Sequence, residues 1–153
     1  MARLNLPEYH FEIKIIEGKK CIFDSIRKKF MVLTPEEWVR QHFIQYLVHE
    51  KKYPPGLISI ESSLKLFKLS KRTDILVHNQ KGEPLLLVEC KAPEIKLNQK
   101  VFDQLFSYNL KYGLKNLIVT NGMVHYYCYF LEGVKEPVFE SKIPSFNELN
   151  EMD

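Results

Sequence analysis

Three ionisable residues stand out by type and spacing: Asp74 in RTDILVH, and Glu89 and Lys91 in LLLVECK. Each interrupts a run that otherwise reads as a buried strand. Taking such groups out of water costs several kcal/mol unless they are paired or bind a metal. Between the runs lies Asn79-Gln80-Lys81-Gly82-Glu83-Pro84, with the Gly and Pro of a turn. A hairpin symmetric about Lys81 and Gly82 sets Asp74 across from Glu89, Leu76 from Leu87, and His78 from Leu85. Directly opposed residues share a face with Cβ atoms roughly 5 Å apart. Lys91, two residues beyond Glu89, projects to that same face. Two carboxylates that close repel unless a cation lies between them. Their oxygens suit Mg²⁺ or Mn²⁺, and the lysine suits a phosphate or a nucleophilic water. The competing reading is a plain Glu89–Lys91 ion pair at a strand end, with Asp74 in a turn. The apolar setting of the charges favours the first.

These residues need elements to hold them. Thr34-Pro35-Glu36-Glu37 reads as a helix start, with a Thr cap, Pro in the first turn, two acids at the positive end, and a Thr34–Glu37 capping box. This helix runs to His49 or Lys52, before Pro54-Pro55-Gly56, and buries Trp38, Phe43, Ile44, Leu47 and Val48. Glu37, Arg40, Gln41 and Ile44 form a neighbouring stripe. The cap role alone accounts for Glu37; the sharper reading leans it toward the acidic site as an outer ligand or water holder. A second helix spans about Asn98 to Tyr112 and ends at Gly113. Gln104 and Tyr108 are the polar members of its stripe, either reaching the active face or lying at the core margin. Strands are read at His10–Ile16 and Cys21–Phe23 (a hairpin at the sheet edge), Leu57–Ile60, Lys115–Thr120 and Met123–Leu131. Asp24–Lys29 reads as a surface turn and Asn121-Gly122 as a two-residue hairpin turn. The aromatics of the last strand read as sheet packing. The tail from about Glu132, with Pro137 and Pro144, reads as loosely ordered.

The chain of 153 residues suits a single domain and a mixed α/β fold, a central mixed sheet flanked by helices. Its formal net charge of +3 permits a nucleic-acid partner without demanding one. Lys68, Lys71, Arg72 and Lys96 either form a solvated surface or meet a phosphate backbone. Cys21, Cys90 and Cys128 sit in apolar runs with no Cys-x-x-Cys, which implies free thiols in a reducing, cytoplasmic setting. No signal peptide and no apolar run of membrane-spanning length is read. The five histidines show no metal-ligand spacing. No phosphate-loop or acyl-transfer motif occurs.

The order helix, strand, strand with Asp, strand with Glu-x-Lys, helix, strand resembles the restriction-endonuclease-like superfamily, whose signature is PD-(D/E)xK. More closely, it is similar to the N-terminal nuclease domain of type I restriction enzyme R subunits. The resemblance rests on TPEEWVRQ from Thr34, RTDILV from Arg72, LVECKAP from Leu87, Asp103-Gln104 to Tyr108, and Thr120-Asn121-Gly122. It spans roughly Phe11 to Phe130. Thr73 stands where the signature has proline, a position that shapes strand entry and does no chemistry. R subunits carry a helicase motor downstream, and no motor motif occurs in this sequence.

The resemblance implies a Mg²⁺- or Mn²⁺-dependent DNA endonuclease that hydrolyses phosphodiester bonds. Asp74, Glu89 and the Cys90 backbone carbonyl would hold the metal, and Lys91 would orient the attacking water or stabilise the phosphorane. Glu37 matches the family's first-helix acid, and Gln104 and Tyr108 match a Gln-x-x-x-Tyr feature. Lys68, Lys71, Arg72, Lys96 and Tyr108 would contact DNA. Expected partners are DNA, restriction-system subunits and a second copy of the chain. The alternative keeps the fold without turnover: a DNA-binding or protein-docking module of a restriction or defence assembly.

Overall fold

A computed structural model describes residues 1–60 and 75–152, without the side chains of 108–112 and 152. The chain forms β1 (Ile13–Ile16), β2 (Lys19–Asp24), β3 (Lys29–Val32), α1 (Pro35–His49), β4 (Ile58–Ile60), β5 (Ile75–His78), β6 (Pro84–Cys90), α2 (Gln99–Tyr112), β7 (Asn116–Thr120), β8 (His125–Tyr129), β9 (Val138–Glu140) and α3 (Phe146–Met152). A six-stranded sheet runs β4-β5-β6-β7-β8-β9, antiparallel except for the β6–β7 pair. Parallel neighbours need a crossover, and α2 supplies it. The expected α/β class, a mixed sheet flanked by helices, is what the structure shows.

Helix α1 starts as its sequence dictates. Thr34 is extended and its Oγ1 accepts the Glu37 N–H at 3.0 Å, with Pro35 in the first turn. Only this half of the capping box forms through Glu37, whose carboxylate turns to other partners described below. Val39, Phe43, Ile44 and Leu47 of α1 are fully buried with Ile75, Val77, Leu86, Val88 and Ile118 of the sheet. On the opposite sheet face, Phe102 and Leu105 of α2 pack with Leu76, Leu87, Leu117, Val119 and Cys128. Strand β6 is therefore covered on both sides, which accounts for its unbroken Leu85–Val88 run.

The β5–β6 hairpin has the register read from sequence at its centre: Leu76 pairs with Leu87, and Ile75 with Val88. It departs at the turn. A shift between Val77 and His78 pairs His78 with Pro84 instead of Leu85. Asn79 is responsible, because its Oδ1 accepts both the Lys81 and Glu83 N–H groups and tightens the loop.

Four expectations are corrected. The N-terminal hairpin is not an edge of the main sheet: with β3 it makes a separate three-stranded sheet. Asp24 is not a surface-turn residue but has no exposure at all. The turn after β7 takes four residues, not two, because the Asn121 Oδ1 accepts the N–H groups of Met123 and Val124. The segment after Glu132 is not a loose tail. Strand β9 pairs with β8, and Ile143, Phe146 and Leu149 enter the α1-side core. The Tyr53 hydroxyl donates to the Pro144 carbonyl at 2.9 Å and fastens that segment to the end of α1.

Candidate functional site

Glu89 and Lys91 project from the end of central strand β6. The buried residues Val88 and Cys90 belong to the α1-side core, while Leu87 belongs to the α2-side core. Alternation along the strand thus sets Glu89 on the Leu87 side. The Lys91 Nζ lies 3.1 Å from Glu89 Oε1, with the two side chains 30% and 19% exposed. The pair is shielded but reachable. Strand β7 supports it from the main chain: Glu89 aligns with Val119 and Cys90 with Thr120, and the Lys91 N–H donates to the Thr120 carbonyl at 2.8 Å.

The end of β7 is itself pinned. Thr120 Oγ1 accepts the Gly122 N–H and meets His125 Nδ1 at 2.7 Å. The His125 Nε2–H donates to the Asn5 carbonyl, because a carbonyl can only accept. Burial holds the His125 pKa below the ordinary 6.5. The Asn121 Nδ2 donates to the Ile95 carbonyl at 2.8 Å and clips the loop that follows Lys91 to the turn that follows β7. Gly122 has φ +85°, and a Cβ there would come within 2.8 Å of Leu4 Cδ2, so this turn needs glycine.

Asp74 lies outside the described residues, as do Lys68, Lys71 and Arg72. It is the residue before Ile75, and Ile75 pairs with Val88, the neighbour of Glu89. Gln104 is exposed on α2, and Tyr108 is placed on the same helix by its backbone alone. Lys96 is exposed in the loop between Lys91 and α2.

Glu37 is placed within a buried network. The Arg27 guanidinium donates to both Glu37 oxygens and, at 2.6 Å, to Asp24. Arg40 donates to Glu37 Oε1 at 2.7 Å and to Glu36 at 2.7 Å. The Gln41 amide donates to Glu37 and to Asp24. Burial raises the Asp24 pKa, but hydrogen bonds from Arg27 and Gln41 outweigh it and hold the carboxyl below its ordinary value. Sequence reasoning found the Glu37–Arg40–Gln41 stripe but not Asp24 and Arg27, which join it from β2 and the following turn. The clue was an Asp and an Arg three apart in a stretch read as surface.

Among the described residues, no group of three or more His, Cys, Asp and Glu side chains converges on one point. Mg²⁺ does not require one: one or two carboxylates, substrate oxygens and water complete its octahedron. Of the described residues, Glu89 supplies a carboxylate of that kind at the end of β6. No helix of the described residues is long and apolar enough to cross a membrane.

A mixed sheet between helices, with Glu-x-Lys at the end of its central strand, defines a class of α/β domain with an acid–lysine pair at a strand terminus. The chain belongs to the family of type I restriction enzyme R protein N termini, whose sequence profile matches residues 35–144. No curated protein and no solved structure matches the chain.

Proposed function

We propose that this domain hydrolyses phosphodiester bonds of DNA in a divalent-metal-dependent reaction, as part of a restriction system. The observation that carries the reading is the half-shielded Glu89–Lys91 pair at the end of β6 in a chain of this family. The domain would then be a PD-(D/E)xK nuclease with Thr in place of Pro. Asp74, Glu89 and the Cys90 carbonyl would hold Mg²⁺ or Mn²⁺. The ion, when bound, would lower the pKa of a water and offset charge on the scissile phosphate. Glu89 would release Lys91, whose ammonium would then orient the attacking water and stabilise charge on the phosphorane. Gln104 would assist at the active face, and Tyr108, Lys96, Lys68, Lys71 and Arg72 would contact the strand. Glu37, both oxygens held in its own network, would act only through the placement of α1.

One observation favours a second reading. Lys91 takes one oxygen of Glu89, the arrangement of a strand-end ion pair in a binding module without turnover. Titration of Mg²⁺ and Mn²⁺ against plasmid and linear DNA separates the two. Cleavage by the parent and not by Lys91→Ala supports the nuclease. DNA binding without cleavage in either metal selects the module.

A further inference from the structure

The sheet β1–β2–β3 lies outside residues 35–144, which carry the family match. The proposed chemistry makes no use of it. Residues 12–29 hold six Lys or Arg against three Asp or Glu, an excess equal to the +3 of the whole chain. The remaining sequence is charge-balanced. Within the stretch, Asp24 and Arg27 neutralise each other in the buried network. Left at the surface are Lys14, Lys19, Lys20, Lys28 and Lys29 against Glu12 and Glu17, all exposed. The Lys14–Glu12 contact is long, 3.6 Å, with both side chains more than half exposed, so solvent screens it.

The register tells which way these cations point. Ile16 pairs with Lys19, Ile15 with Lys20 and Lys14 with Cys21. Lys14 and Lys19 therefore share one face of the hairpin, and Lys20 projects from the other. The tip is the two-residue turn Glu17-Gly18, with both φ values positive as a tight hairpin requires. Ile15 beside it is 75% exposed. Strand β3 pairs with β2 from Cys21 to Asp24, so it is the tip of the hairpin, Ile15 to Lys20, that projects as a two-stranded ribbon. With cations on both faces, this ribbon is poorly suited to a flat partner. It suits a groove with phosphates along both walls, and the major groove of duplex DNA admits a two-stranded β-ribbon. The isoleucines near the tip match the thymine methyls at the groove floor.

We propose that the β1–β2 hairpin docks in a groove of duplex DNA, with Lys14, Lys19 and Lys20 meeting phosphates on its two walls and Lys28 and Lys29 flanking the entry. This does not rest on the nuclease reading, because binding is measured in EDTA, where no metal-dependent cleavage occurs.

The test is fluorescence anisotropy of a labelled duplex of about 20 base pairs over a salt series. The triple variant Lys14→Gln/Lys19→Gln/Lys20→Gln should bind about tenfold or more weaker at low salt, with a log–log salt slope shallower by about 2 to 3. A control, Lys81→Gln/Lys135→Gln, also removes exposed lysines and should leave both quantities near the parent's. The proposal is overturned if the triple variant matches the parent, if the control weakens binding equally, or if the parent does not bind the duplex. Sedimentation supplies the remaining arm. Loss of self-association in the triple variant with DNA affinity intact would make the hairpin a contact between copies of the chain and sink the proposal.

Discussion

Two acid–cation clusters in this molecule contrast sharply. Around Glu37, three carboxylates (Asp24, Glu36 and Glu37), the guanidinium groups of Arg27 and Arg40 and the Gln41 amide N–H groups bond one another in a site where Asp24 and Gln41 have no exposure. Among the described residues, the Gln41 Oε1 is left without a hydrogen-bond partner. Around Glu89, among the described residues, Lys91 meets one carboxylate oxygen, and both side chains keep part of their surface in water. The first cluster joins the small sheet to α1 through bonds fixed at both ends. The second sits at the end of a strand, held from the main chain and still reached by water. A buried network whose charges are all paired serves structure, because removing a charged member strands its partners. A shielded pair that water still reaches can exchange partners, which is what binding or catalysis demands.

The comparison can be broken at its strongest point. Glu37→Ala would leave Arg27 and Arg40 short of a carboxylate in a buried site and should cost about 3–5 kcal/mol by urea unfolding. If stability holds and DNA cleavage vanishes, Glu37 belongs with Glu89 and the division into two clusters fails. Lys91→Ala should show the reverse pattern. Cleavage should fall about 100-fold or more, while stability changes by less than about 1 kcal/mol, because the pair is partly solvated. A large loss of stability there would make Glu89–Lys91 a structural pair after all. Gly122→Ala is expected to be milder, about 1–2 kcal/mol from a strained φ and the close approach to Leu4 and Val39. Its lesion should be local. Hydrogen exchange should quicken at the Lys91 amide, whose acceptor is Thr120, before it quickens in α1 around Gln41.

What the sequence revealed follows from the range of the interactions involved. Helix α1 was readable to within a residue or so, because Thr34, Pro35 and the acids of the first turn act within one turn of chain. The central β5–β6 register was readable from alternation and a Gly-Pro turn, up to Asn79, whose side chain replaced two turn bonds and shifted the pairing. The Glu37 network was not readable as a unit. Asp24 and Glu37 are far apart in sequence, and only tertiary packing decides that Arg27 bridges them. The C-terminal segment misled through composition. Its prolines and acids suggested looseness, while the few apolar residues Ile143, Phe146 and Leu149 suffice to anchor it once the core offers a slot. Of the candidate site, the structure brings Glu89 and Lys91 together, and the reading of Asp74 lies outside the described residues.

Acid should separate the two regions with the smallest perturbation. Burial depresses the His125 pKa, so the folded state disfavours its charged form. Unfolded chains then bind the proton more readily, and stability present above the ordinary 6.5 declines as pH falls from there toward the folded value. Asp24 is depressed as well, so its contribution is complete above the ordinary 3.8 and is lost only as pH falls through its lower folded value. The end of β7, which carries the acceptor for Lys91, should therefore loosen in mild acid while the carboxylates of the Glu37 network stay ionised and paired. His42 of α1, its pKa also lowered by burial, adds its own share to the mild-acid loss. Mild acid gives a small step in denaturation midpoint; the steep loss comes below about pH 4. His125→Asn should shrink the first step, leaving the share of His42, whose pKa burial also lowers, and Asp24→Asn should shrink the second. A single transition, unchanged by His125→Asn, would mean that the two regions unfold as one unit and that their contrast is one of chemistry, not of stability.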